Sequence, residues 1–342
     1  MKKLRQQQGF TLPELLITTV VLGIFLSVFG DQISAALGMN QRAYQQRQAL
    51  NNQLIASVLL ESARTQDTLG NLPAPYTGNG YTSTVFDPTN ATMGGSFQQV
   101  GLSTSEINDD GYASQRVRVY QRVTGLTQQV PLYIRSGALV QLTYQVGAVY
   151  NTTCTLNGSG CNPSGTGVPG SSPAMTSANA KTWAPVAPDF GAQLISTLPL
   201  QKSMLQATTD RMDKLRDSLQ SYFREKQRLA AADDGTNFYP APTGTGAANL
   251  SGQTATTNQS CNDGWYDLTA SNVNVLDQIG LSKDEFSKTA WGGAIQYCRD
   301  YDPSGAGPNV VPHYAAIRIH SQVSLGQSPD AAVPGNNVVL TF

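Results

Sequence analysis

Between Phe10 and Gly30 the chain reads FTLPELLITTVVLGIFLSVFG, twenty-one residues of which a single one, Glu14, carries a charge. As a helix rising about 1.5 Å per residue, such a run covers about 30 Å, the hydrocarbon thickness of a bilayer. Lys2, Lys3 and Arg5 precede it, a basic lip that the positive-inside tendency keeps on the cytoplasmic side. A secretory signal peptide would be shorter and would end in a small-residue cleavage site. Here the small-residue junction, Gly9-Phe10, comes before the apolar run, so the run is expected to survive processing. Pro13 falls in the first turn, where a missing N–H removes no helical bond.

Glu14 is the anomaly. A carboxylate inside an apolar span costs about 2.5–3.5 kcal/mol on insertion scales and calls for a partner, yet no Lys or Arg lies between Phe10 and Gln41. Either Glu14 sits solvated or protonated near the cytoplasmic interface, or its partner is supplied from outside the segment. Cutting after Gly9 would create such a partner, the new α-amino group of Phe10 in a second copy, and would make the segment an assembly device.

The string Gly9-Phe10-Thr11-Leu12-Pro13-Glu14-Leu15-Leu16 resembles the prepilin cleavage and methylation motif of type IV pilins and of the pseudopilins of type II secretion. The resemblance implies that a prepilin peptidase cuts after Gly9 and methylates Phe10, that Phe10 and Glu14 serve subunit docking, and that an inner-membrane assembly platform with its ATPase drives polymerisation. Many relatives carry a helix-kinking proline about two-thirds through the membrane segment. This chain has Gly23, Gly30 and Asp31 instead, and glycine weakens a helix by only about 1 kcal/mol against about 3 for proline.

With 342 residues the chain exceeds one typical domain, so two globular modules are expected behind the helix. Only 13% of residues are charged and the net charge is −1; losing the cationic leader makes the mature chain more acidic. That argues against a general nucleic-acid binder, which needs a basic surface to displace counterions. Cys154, Cys161, Cys261 and Cys298 all follow the apolar run and read as disulfides of an exported domain. Nearest-neighbour pairing, 154 with 161 and 261 with 298, is the expected one of three. Zinc competes poorly, since no CxxC pair occurs and the histidines, His313 and His320, lie far along the chain.

From Asp31 to about Thr68, the residues Ile33, Leu37, Tyr44, Leu50, Leu54, Ile55, Val58 and Leu59 recur at three- and four-residue steps, so the helix should continue outward as an amphipathic rod carrying the head on its apolar stripe. Gly38 and Gly70 are the expected soft point and stop. Farther on, Arg116–Tyr120 alternates with period two. Pro131–Arg135, Ser136-Gly137 and Ala138–Tyr144 read as a hairpin. The stretch 151–181 is a Thr/Ser/Gly/Asn/Pro loop. A second helix is expected over 199–232, with Leu205, Met212, Leu215, Leu219, Tyr222 and Phe223 on one stripe and Ser196-Thr197 and Pro199 as its start. After it come Tyr239-Pro240, Trp291-Gly292 leading to Gln296-Tyr297, and Ser324-Leu325-Gly326, an order similar to the heads of major pseudopilins and many pilins.

The expected architecture is therefore α+β and pilin-like: a leader at 1–9, a long helix at 10–69 with a transmembrane part at 10–30, an inserted β-rich module at 70–198, and at 199–342 a C-terminal head of helix and antiparallel sheet. Asp300-x-Asp302 has the opening spacing of a calcium loop, but its twelfth position is Val311 where a bidentate acid belongs; the pseudopilin likeness adds Asp330 as a calcium candidate. No cofactor is otherwise expected. His320 alternates with Ile317 and Ile319 and should face the surface of a strand. No Gly-x-Ser-x-Gly or Walker-type loop occurs, so the reading is a structural protein, not an enzyme: a pilus subunit held in the inner membrane with a periplasmic head before it enters an extracellular filament of like or mixed subunits, used for adhesion, motility or DNA uptake. A secretion pseudopilin and a filament-tip adhesin are the alternatives. Replacing Gly9 with a bulky residue is expected to leave the precursor uncut, and mass analysis of the N-terminus checks it.

Overall fold

A computed structural model of the chain describes residues 12–64, 69–75, 96–103, 106–107, 116–133, 137–155, 174–185, 192–231, 234–243, 250–251, 258–304 and 311–342; side chains at 12–15, 25–26, 28, 30–31, 33, 116–117, 152–155 and 250–251 are not described. The helix α1 spans Leu12–Ala63 and runs unbroken through Gly23, Gly30 and Gly38, ending before the expected Thr68. Its 52 residues reach about 78 Å.

Behind α1 lie two antiparallel sheets. The first is a hairpin of β1 (Arg116–Pro131) and β2 (Leu139–Thr155) with β3 (Gln193–Ser196) on its other side, in the order β1-β2-β3. The strands are longer than the sequence pattern implies. Pro131 pairs with Leu139 and ends β1, where the expected strand began, and Leu132 instead closes the hairpin with its N–H on the Ala138 carbonyl at 2.9 Å. The polar run Thr127-Gln128-Gln129 continues β1 because it pairs with Gln141, Leu142 and Thr143. Both faces of the hairpin's far end are covered, so buried residues follow one another without alternation. Tyr120 and Val149 join Ile55, Val58, Leu59 and Ala63 of α1 and Phe97, Leu102 and Ile107. On the opposite face Val119, Ala148 and Tyr150 pack with Met175 and Trp183, the Tyr150 and Trp183 rings 5.4 Å apart.

The second sheet is a meander, β4 (Leu250–Ser251), β5 (Trp265–Asp267), β6 (Gln296–Tyr301), β7 (Tyr314–His320) and β8 (Asn337–Thr341), in sequential order. It is covered by α2 (Leu198–Leu229), with two single-turn helices, α3 (Val275–Gln278) and α4 (Lys283–Phe286), between β5 and β6. Leu205, Met212, Leu215 and Leu219, at steps of seven, three and four, put one stripe of α2 against Ile317 and Ile319 of β7 and Tyr297 of β6. Tyr222 and Phe223 are only partly buried. Thr197 occupies the N-cap position without a side-chain capping bond; its hydroxyl instead accepts the Gln145 N–H at 2.9 Å, clamping β2 to the start of α2.

The head motifs meet in space. Gly292 and Gly326 both take left-handed backbone, with φ of 84° and 66°, and a Cβ on Gly326 would stand 2.8 Å from the Trp291 carbonyl oxygen. A Cβ on Gly293 would run into the Gln327 carbonyl. The Trp-Gly turn and the Ser-Leu-Gly element are therefore docked backbone to backbone, which only glycine permits. Ser324 adds a further tie, accepting the Thr143 N–H at 2.7 Å, while Gln141 donates its N–H to the Ser321 carbonyl at 2.8 Å. Gly293→Ala is expected to lower the melting temperature by several degrees, of the order that about 1–3 kcal/mol of backbone displacement produces, as read by thermal unfolding monitored by circular dichroism.

Candidate assembly helix and its carrier

Burial along α1 changes abruptly with position. All nine residues from Leu16 to Ile24 are exposed, and among them Leu16, Ile17 and Leu22 are 59%, 63% and 61% accessible. Phe29, Leu37 and Met39 are exposed as well. Burial begins at Gln48 and then follows one face: Asn51, Asn52, Ile55, Val58, Leu59 and Ala63. The expected stripe is thus only partly used, since Leu37 and Leu50 face outward. From Leu16 to Arg47, about 50 Å of helix, the described residues are exposed apart from the half-buried Gly38 and Tyr44.

The buried end of α1 opens with polar side chains. Arg118 of β1 donates to the Gln48 amide oxygen, and Asn52 donates to Asn151 of β2 at 2.8 Å. Arg47 pairs with Glu106 at 2.6 Å; hydrogen bonds from Ser103, with the nearby Arg47 charge, hold the Glu106 carboxyl below the usual carboxylate range against its partial desolvation. Such bonds fix the rotation of the helix, while Ile55 and Leu59, fully buried, supply the apolar contact. Among the described residues, none of the five-stranded sheet belongs to this core. Among the antiparallel sheets that follow it, the one the apolar stripe of α1 carries is the three-stranded sheet.

The hairpin joins the two. Its turn end contributes Leu132, Val140 and Leu142 to the head core, and its other end contributes Tyr120 and Val149 to the core on α1. A second tie comes from Gln201 of α2, fully buried, whose amide donates to the Leu69 carbonyl at 3.1 Å and accepts the Trp291 indole N–H at 2.7 Å.

Of the expected site residues, Gly9 and Phe10 lie outside the described residues, and Glu14 stands in the first turn of α1 with its side chain not described. Cys261 and Cys298 form a disulfide, Cα to Cα 5.9 Å. Cys154 is the next-to-last residue of β2 with its side chain not described, and Cys161, with most of the loop 151–181, lies outside the described residues. His320 is buried, contrary to its expected surface position. The reason is that β7 is covered on both faces, by α2 on one and by the region around Trp265 and the disulfide on the other. Its Nδ1 accepts the Gln322 N–H at 3.0 Å. His313 places Nε2 2.7 Å from the Gly235 carbonyl.

Among the described residues, no group of three or more His, Cys, Asp or Glu side chains converges in a way that could hold a metal ion. Asp300 is buried in β6, Asp302 accepts the Ser304 N–H and hydroxyl, both at 2.8 Å, and Asp330 stands on a different loop, between β7 and β8. Over the described residues alone no helix is long and apolar enough to cross a membrane. The run expected to do so starts at Phe10, outside them, and includes several side chains that are not described.

The projecting helix, the antiparallel sheets behind it and the N-terminal string define a pilin-like α+β protein, and comparison with known proteins agrees. Residues 4–30 match the family described as Prokaryotic N-terminal methylation motif. A curated relative, Type II secretion system core protein G of Vibrio cholerae serotype O1, is 37% identical over 90 residues, which are 26% of this chain and 56% of that protein. The chain thus spans about half the length of the curated relative it matches. No solved structure matches it. This chain carries the N-terminal segment of the type IV pilin and pseudopilin family. Leu59→Ala, in the core that joins α1 to its carrier, is expected to cost about 2–5 kcal/mol, measurable by chemical denaturation of the detergent-solubilised protein.

Proposed function

We propose that the chain is a structural subunit of a type IV pilus-type filament, polymerised through α1. The observation that carries this reading is the division of α1 into an outer part seated on its own module and an inner part whose described leucines, isoleucines and valines are exposed. A helix apolar all round is stable only inside lipid or among other helices. In this reading it first resides in the inner membrane, with the head in the periplasm, and is then extracted into a helical bundle of like helices. A prepilin peptidase trims it after Gly9, and an assembly platform with its ATPase supplies the work. Glu14 sets the axial register by pairing with the amino end of a neighbouring copy, and neither step requires chemistry at the head.

The relative's printed name favours a second reading, a pseudopilin of a type II secretion system. The enlarged, two-sheet head supports the pilus reading, since it multiplies the surface that a fibre displays. Deletion separates them: loss of surface fibres belongs to the first, loss of secretion with fibres intact to the second. Glu14→Ala is expected to leave cleavage intact and to abolish incorporation into filaments, scored by immunoblotting of sheared fibres against whole cells. Normal filament content in that variant would refute the pairing.

A further inference from the structure

The pseudopilin likeness implies a calcium ion in the loop that holds Asp330. A calcium site needs six to eight oxygen ligands with free lone pairs directed at one point. The segment 326–337, between β7 and β8, presents the opposite arrangement. The Asp330 carboxylate already accepts the N–H groups of Ala332 at 2.8 Å and Val333 at 3.2 Å. The Asp330 carbonyl accepts the Asn337 amide at 2.6 Å, and the same side chain returns its oxygen to the Asp330 N–H at 2.8 Å. The Pro334 carbonyl accepts the Gln259 amide at 2.7 Å, and the Asn336 carbonyl accepts the Ser321 N–H at 2.6 Å. Donors thus point where ligands to a cation would have to open.

Positive charge is present as well. Arg318, fully buried on β7, donates from Nε to Gln296 at 2.7 Å and from Nη1 to the Gln259 amide oxygen at 3.1 Å, and its guanidinium lies 4.4 Å from the centre of the Trp265 ring. Burial pulls the Arg318 pKa down to about 10, opposed by the charge of Asp330. Gln259 reaches this position because it and Ser260 take left-handed backbone, φ 50° and 65°, immediately before the disulfide at Cys261. Two consecutive non-glycine residues in that region persist only where their surroundings hold them; the Trp265 indole N–H, bonded to the Asn258 carbonyl at 2.7 Å, is one such hold.

We infer that the loop 326–337 is closed by the chain's own Asn337, Gln259 and Arg318 groups, anchored through the 261–298 disulfide, and takes no divalent cation. The residues do not fit the ion: an Arg–amide network performs the closure that a metal would otherwise perform.

The test uses the full chain in detergent. Hydrogen exchange of the 326–337 amides and the melting temperature are measured in excess EGTA and in millimolar calcium chloride, and calcium is titrated calorimetrically. Identical protection and melting in both buffers, with no saturable heat, is the expected result. Asn337→Ala is expected to speed exchange across 326–337 and to lower the melting temperature by about 2–4 °C in either buffer. Gln259→Ala serves the same purpose should Asn337→Ala fail to fold. The inference is overturned if calcium slows exchange in this loop, if it restores either variant, if both variants exchange like the parent, or if Asp330→Ala abolishes a calcium-binding heat seen in the parent.

Discussion

The structure rests on how unevenly α1 is buried. Within one helix, a face of Gln48, Asn52, Ile55 and Leu59 is sealed against the chain's own sheet, while the stretch Leu16–Ile24 is exposed. Burying a leucine or isoleucine side chain is worth about 1.5–3 kcal/mol, so the bare stretch holds a large driving force for association that no internal rearrangement of the head can satisfy. The polar contacts at the boundary, Arg47 with Glu106 and Asn52 with Asn151, add little attraction of their own. They orient the helix, and thereby decide which of its faces is offered outward.

The three-stranded sheet is an adaptor. Strands of 16 and 17 residues reach about 55 Å, long enough for one end of the hairpin to pack on α1 and the other to enter the core of the head. The clamps that fasten it are single hydroxyls and amides, Thr197 and Ser324 on β2 and Gln201 between Leu69 and Trp291. Each fills a backbone or indole group that would otherwise be buried without a partner, the situation in which one hydrogen bond matters most.

Much of this was legible in the sequence. The helix α1 followed from the apolar run at 10–30 and the three- and four-residue steps beyond it, α2 from the spacing of Leu205, Met212, Leu215 and Leu219, and the α+β class from the change of period after residue 70. The approach of Trp291-Gly292-Gly293 to Gly326 gives a physical reason for glycines that the sequence displayed without explanation. What was not legible involves polar residues placed inside. Gln48, Asn51 and Asn52 look like a solvated helix face until Arg118 and Asn151 meet them; Thr127-Gln128-Gln129 looks like a turn until a facing strand pairs with it. His320 looked exposed because alternation marks a strand with one wet face, and β7 has none. The identity of the sheet that α1 carries depends on long-range packing, which no local period encodes.

Among the described residues no side chain of the five-stranded sheet enters the core around α1, and the two are linked instead through the β1–β2 hairpin and through Leu200 and Gln201 of α2. A change in the five-stranded sheet therefore reaches α1 by way of these intermediaries and not by direct contact among the described residues.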